Sequence, residues 1–147
     1  MLQPTYDDVN LILRLYEQRR EPVMREARFW FATKFKADTF EELMQLCPLG
    51  SQENQYFRQV TSYWEMVASF ITGGVLNHHL FFQSGQEMLL AWEKVKNLAP
   101  HMRTARKNPL VWKNLEEAAK LFAEHLNSHG SPDAYPTVAE LVRNMVR

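Results

Sequence analysis

Residues 51–74 read SQENQYFRQVTSYWEMVASFITGG, and this stretch decides the fold. Tyr56, Val60, Tyr63, Trp64, Val67, Phe70 and Ile71 recur every three or four residues, the period of one helical face. Ser51 opens the segment, and Gly73-Gly74 can supply the left-handed backbone that ends a helix. The spacing predicts one long helix with an apolar stripe and Trp64 at its middle. The other tryptophans, Trp30, Trp92 and Trp112, each lie in a different segment with the same rhythm. A Trp buries roughly 150–250 Å², so indoles on four separate helices predict one shared, dry aromatic core.

Working outward, Thr5 with Asp8 is a capping signal, followed by Val9, Ile12, Leu13 and Tyr16 as a helical face. That helix should end near Arg20, because Pro22 disfavours a helical residue before it and suits the first position of the next helix. Val23, Ala27, Trp30, Phe31 and Phe35 then form the second face. Asp38 with Glu41 and Thr39 with Glu42 both read as capping boxes for a short helix, Phe40 to Leu46, closed by Pro48 and Gly50. Asn77 suits the cap of one short turn, His78 to Phe82. Ser84 with Glu87 reads as a further capping box, opening a helix through Leu89, Trp92, Val95 and Ala99 that Pro100 should kink without ending. Asn108-Pro109 is a start signal for a helix through Trp112, Leu115, Ala119, Phe122 and Leu126 to Gly130. Thr137 with Glu140 begins a last one. No segment alternates apolar and polar residues as strands do. The class is therefore all-α: a single-domain bundle of about six or seven helices over residues 5–130, a linker over 131–136, and a C-terminal amphipathic helix over 137–147, docked on the bundle or on a second subunit.

The chain has 147 residues, the usual size of one domain, with 46% hydrophobic and 23% charged residues. Lys plus Arg and Asp plus Glu both number 17, so the net charge is zero. Nucleic-acid binders usually carry a basic excess, so this class is disfavoured. A chain without net charge also lacks the repulsion that keeps copies apart. Cys47 is the single cysteine, which allows no internal disulfide and fits a reducing cytoplasm. Met1-Leu2-Gln3-Pro4 lacks the basic and apolar blocks of a signal peptide. Met66 to Gln86 is free of Asp, Glu, Lys and Arg, but its glycines, histidines and amides make it too polar for an integral membrane segment.

No motif forces a reaction or a cofactor. His125 and His129 are spaced i and i+4, which puts two imidazoles on one helix face and makes them the only weak metal candidates. His129 more simply favours the helix dipole as a C-terminal cation. His78 and His79 are adjacent and should point about 100° apart on a helix. Cys47 lies in an acidic stretch that disfavours the thiolate, so it reads as an inert thiol. Glu116-Glu117 reads as a solvated helix face. Arg14, Arg19, Arg20, Arg25 and Arg28, interleaved with Glu17, Glu21 and Glu26, read as a solvated, internally paired face. Arg103, Arg106, Lys107 and Lys113 have no acid among them and could take an anion beside Trp112.

Several of these pieces together resemble a widespread bacterial domain family of unknown function. They are Leu15-Tyr16-Glu17-Gln18-Arg19-Arg20, then Arg25-Glu26-Ala27-Arg28, a helix ending near Gly74, a Trp92-centred helix leading to Arg103 and Arg106, and Asn108-Pro109 with Trp112, Leu115 and Glu116. The family's members are small helical proteins or helical tails behind a membrane anchor. The resemblance implies an all-helical bacterial protein and supplies no activity and no catalytic residue.

The expected function is a non-enzymatic protein-interaction or regulatory module, cytoplasmic, without cofactor, that forms a homo-oligomer or meets a protein partner. The alternative is a small-molecule or anion-binding domain with its site near Arg103, Arg106 and Trp112. A metal-dependent enzyme around His78, His79, His125 and His129 is a third possibility.

Overall fold

A computed structural model describes residues 3–146; Met1, Leu2 and Arg147, the last placed by its sequence in the terminal helix, lie outside the described residues. Among those described, the chain is all-helical and has no strand. Its helices are α1 (Tyr6–Arg19), α2 (Pro22–Thr33), α3 (Phe40–Leu46), α4 (Gln52–Thr72), α5 (His78–Phe81), α6 (Gln86–Val95), α7 (Ala99–Ala105), α8 (Lys113–His129) and α9 (Ala134–Arg143). The long helix α4 is the axis of the bundle, with α2 on one side and α8 on the other. Helix α6 closes the group, α9 lies on α6 and α8, and α1 lies on α2.

The aromatic core is real but is not a cluster of indoles. Trp64, Trp92 and Trp112 are buried, whereas Trp30 is half-buried at the edge. Among the described residues no two indoles are in ring contact. Phenylalanines link two of them: Trp30 lies 5.7 Å from Phe35, Phe35 lies 5.2 Å from Phe57, and Phe57 meets Trp112 edge-on at 5.9 Å, while Trp64 meets the Tyr63 ring at 4.9 Å.

Local signals set most helix ends. Thr5 and Asp8 form the capping box of α1, with the Thr5 N–H donating to the Asp8 carboxylate at 2.8 Å. Pro22 takes the first turn of α2, and Thr39 rather than Asp38 caps α3. Ser51 caps α4 and Asn77 caps α5. Gly74 has φ +77, the left-handed conformation that stops α4 without a Cβ clash.

Four ends differ from the sequence reading. Gly85, not Ser84, starts α6, and Glu87 is drawn away from the backbone by two guanidinium groups described below. Pro100 does not kink a continuing helix: α6 ends at Val95, and Pro100 sits in the first turn of α7, where its missing N–H costs nothing. Asn108-Pro109 does not start α8. Lys107, at φ +50, closes α7 with bonds from its own N–H to Thr104 O and from the Asn108 N–H to Arg103 O, a Schellman arrangement usually given to glycine. The Asn108 side chain then accepts the Leu110 N–H inside a turn. Finally, α9 begins at Ala134, ahead of the expected Thr137, because Pro136 is tolerated in a first turn and Thr137 bonds back to the Asp133 carbonyl.

Two helix ends are capped by other helices. Glu65 on α4 accepts the Leu115 N–H at 2.8 Å and the Asn114 side chain at 3.2 Å, capping α8, whose own N-cap Trp112 stands at φ +52 and makes no side-chain cap. Lys94 on α6 donates to Phe31 O, Ala32 O and Phe35 O at 2.8, 3.0 and 2.8 Å, closing the C-terminal end of α2. Burial, with Lys36 nearby, pushes the Lys94 pKa down to about 8, so at neutral pH it remains the three-donor ammonium. All three of its protons are used in holding carbonyls. Lys94→Met keeps the stem and removes the cap; it should lower the unfolding free energy by about 2 kcal/mol in urea titration. A change below about 0.5 kcal/mol would show the carbonyls to be satisfied without it.

Candidate interaction surface

Helix α1 carries two apolar rows. One turns inward: Leu15 is buried and Leu11 and Ile12 pack against the core. Of the face expected from the sequence, Val9, Ile12, Leu13 and Tyr16, only Ile12 packs on the core; Val9, Leu13 and Tyr16 face out, at 40, 54 and 49% exposure. Tyr6, at 86%, extends this outer row. Both rows fit a helical period, so spacing alone cannot choose between them. Two tertiary bonds choose. The Asn77 N–H donates to the buried Asp8 carboxylate at 2.9 Å, and the Tyr63 hydroxyl donates to Leu15 O at 2.6 Å. Burial raises the Tyr63 phenol to about 12, so it stays a donor at any ordinary pH.

The outer row, 6-9-13-16, has the 3-4-3 spacing of a coiled-coil seam. Its first turn carries exposed Asp7, and its far end exposed Arg14, Glu17 and Arg20. The Arg19 and Arg20 guanidinium groups lie over the Tyr16 ring at 5.1 and 5.7 Å.

The basic cluster is divided by the fold. Arg14, Arg20 and Arg25 are exposed. Arg19 and Arg28 are half-buried and both bond Glu87, Arg19 at 3.1 Å and Arg28 through two bonds at 2.7 and 2.8 Å. Arg28 also donates to Arg19 O at 2.9 Å. This tie joins α1, α2 and α6. Nothing local in the sequence points to it, since Glu87 lies 59 and 68 residues from its partners.

Arg103 donates to Val111 O at 2.9 Å and to Glu116 at 3.4 Å, so its guanidinium is engaged within the chain. Trp112 is buried, and Arg106 is exposed. Arg106 and Trp112 line a surface depression of about 740 Å³ together with Arg58 and Glu65. Glu116 binds both Arg103 and Lys113 rather than only solvent.

The histidines gather. His125 and His129 stack at 4.5 Å, and His79 reaches them from α5 at 6.0 and 6.3 Å. His78 lies 4.2 Å from His79. Among the described residues no group of three or more His, Cys, Asp or Glu side chains is set to hold a metal ion. Cys47 is fully buried, and burial with Glu53 nearby raises its thiol to about 12, which leaves it without nucleophilic thiolate. No helix among the described residues is long and apolar enough to cross a membrane.

A family model described as a domain of unknown function, DUF4760, matches residues 4–122. No curated protein and no solved structure matches the chain.

Proposed function

The chain belongs to the DUF4760 family, and from the outer face of α1 we propose that it is a non-enzymatic interaction module that associates with a second copy of itself. The observation that carries this reading is the row Tyr6, Val9, Leu13 and Tyr16, four large side chains left in water along one helix. The row from Tyr6 to Tyr16 spans about 15 Å of helix, nearly three turns for a neighbour to pack against. An antiparallel, two-fold pairing lets the same row serve as the contact face on both copies. Zero net charge removes long-range repulsion between copies.

Light scattering at micromolar concentration tests this. The wild-type chain should run at twice the monomer mass. Leu13→Glu, on an exposed site, should run as a monomer with unchanged helical circular dichroism and a melting temperature that no longer depends on protein concentration. A wild-type protein that stays monomeric at 100 µM, roughly −5.5 kcal/mol of standard association free energy, overturns the proposal.

A further inference from the structure

The four histidines come from two segments separated by more than forty residues and meet where α5 abuts the C-terminal half of α8. They are more than neighbours on a surface. The Phe82 ring lies between them, 5.4 Å from His78, 5.4 Å from His125 and 4.3 Å from Phe122. The rings therefore plug the joint between α5 and α8 at the level of the core.

The joint is built for neutral imidazoles. His125 Nδ1 is buried with no hydrogen-bond partner, so a proton placed there finds no acceptor. His129 Nδ1 lies 3.0 Å from Ser128 Oγ and 3.2 Å from His125 O. The charged groups around the cluster do not neutralise it. On α8 these are Glu117, Lys120 and Glu124; Lys120 and Glu117 line the depression beside His78 and His79, and Glu117 faces Lys113. Asp8 on α1 is engaged by the Asn77 and Thr5 N–H groups, and Asp133 precedes α9. Among the described residues no carboxylate forms an ion pair with any of the four rings.

We propose that this four-histidine cluster is an acid-operated latch: its neutral rings hold α5 against α8, and protonation releases α5 from that contact. The linkage has a definite sign. Burial, then the neighbouring imidazoles, lowers the pKa of His78 and of His125 below the ordinary 6.5. An open joint returns them to that ordinary value and binds more protons than the closed one. Closure is therefore fully favoured above about pH 6.5 and weakens as pH falls through the window below it. Each extra proton bound by the open form raises the opening constant by up to about tenfold per pH unit. This inference does not depend on self-association.

Amide hydrogen exchange of the full chain at pH 7.5 and pH 5.5, corrected for intrinsic chemistry, tests it. The amides of Leu80 to Gly85, which bond to Asn77, His78, Leu80 and Phe81, should lose protection at least about tenfold more than those of α4. His78→Gln with His125→Gln, which removes the two linked groups, should cut that difference to less than about threefold. Protection that ignores pH in the wild type, or an equal pH response in the double variant, overturns the latch. Should the double variant lose helical content, imidazole NMR of the wild type decides. His78 and His125 are expected to titrate below the ordinary 6.5 of a free imidazole; titration of both at or above that value overturns the proposal.

Discussion

Phe35→Ala is expected to lower the unfolding free energy by about 3–5 kcal/mol, the range for emptying a buried phenylalanine site. Phe35 has no exposed surface and touches three rings: Phe31 stacked at 5.0 Å, Phe57 at 5.2 Å and Trp30 at 5.7 Å. It is the link through which the half-buried Trp30 reaches the Phe57–Trp112 pair. The site cannot collapse readily, because its backbone carbonyl is pinned by Lys94 and its neighbours are themselves wedged. Phe35→Leu keeps most of the volume and should lose only about 1–2 kcal/mol. Guanidinium denaturation of both variants checks the pair. Equal losses would mean that shape at this position matters less than the ring contacts indicate.

Glu87→Ala should be nearly as damaging, at about 3 kcal/mol. The carboxylate serves Arg19 and Arg28 together, and its removal leaves two half-buried cations facing each other across the α1–α2 turn. The loss comes from the stranded charges more than from the bonds themselves. Arg19 cannot simply swing into solvent, since it also lies 5.5 Å from the Trp64 ring and 5.1 Å from the Tyr16 ring. A triple replacement, Arg19→Met, Arg28→Met and Glu87→Leu, removes every charge at once and should regain at least half of the loss, about 1.5 kcal/mol or more. Urea unfolding of the single and triple variants separates the two contributions; a triple variant as unstable as the single one would show that the bonds, not the stranded charges, dominate.

The helical class and most segment positions were legible because side chains act on their own turn. Thr5, Ser51 and Asn77 cap the helices that follow them, and Pro22 and Gly74 do what their restricted or permissive backbones allow. The misreadings at α6 and α1 involve partners distant in sequence, whereas those at Pro100, Asn108-Pro109 and Pro136 turn on local backbone choices. Glu87 is a plausible capping residue until Arg19 and Arg28 arrive. Asn108-Pro109 is a plausible helix start until Lys107 takes the left-handed position. The inner face of α1 depends on Asn77 and Tyr63, neither within forty residues of the bonds they make. For the same reason the outward row of α1 was legible as a row but not as a surface. The His125–His129 pair was visible from its spacing, whereas the arrival of His78 and His79 beside it was not, because only the packing of α5 on α8 brings them there.

Glu65 caps α8 from α4, fifty residues earlier in the chain. Where α8 begins is thus a property of the assembled bundle and not of its own peptide. The Leu115 N–H of α8's first turn finds its protein acceptor only when α4 is docked, so the start of α8 is coupled to that packing. A fragment covering α7 and α8 alone has no reason to respect the native boundary at Lys113, and dissection of this protein into peptides would erase the very feature that sets its last long helix in register.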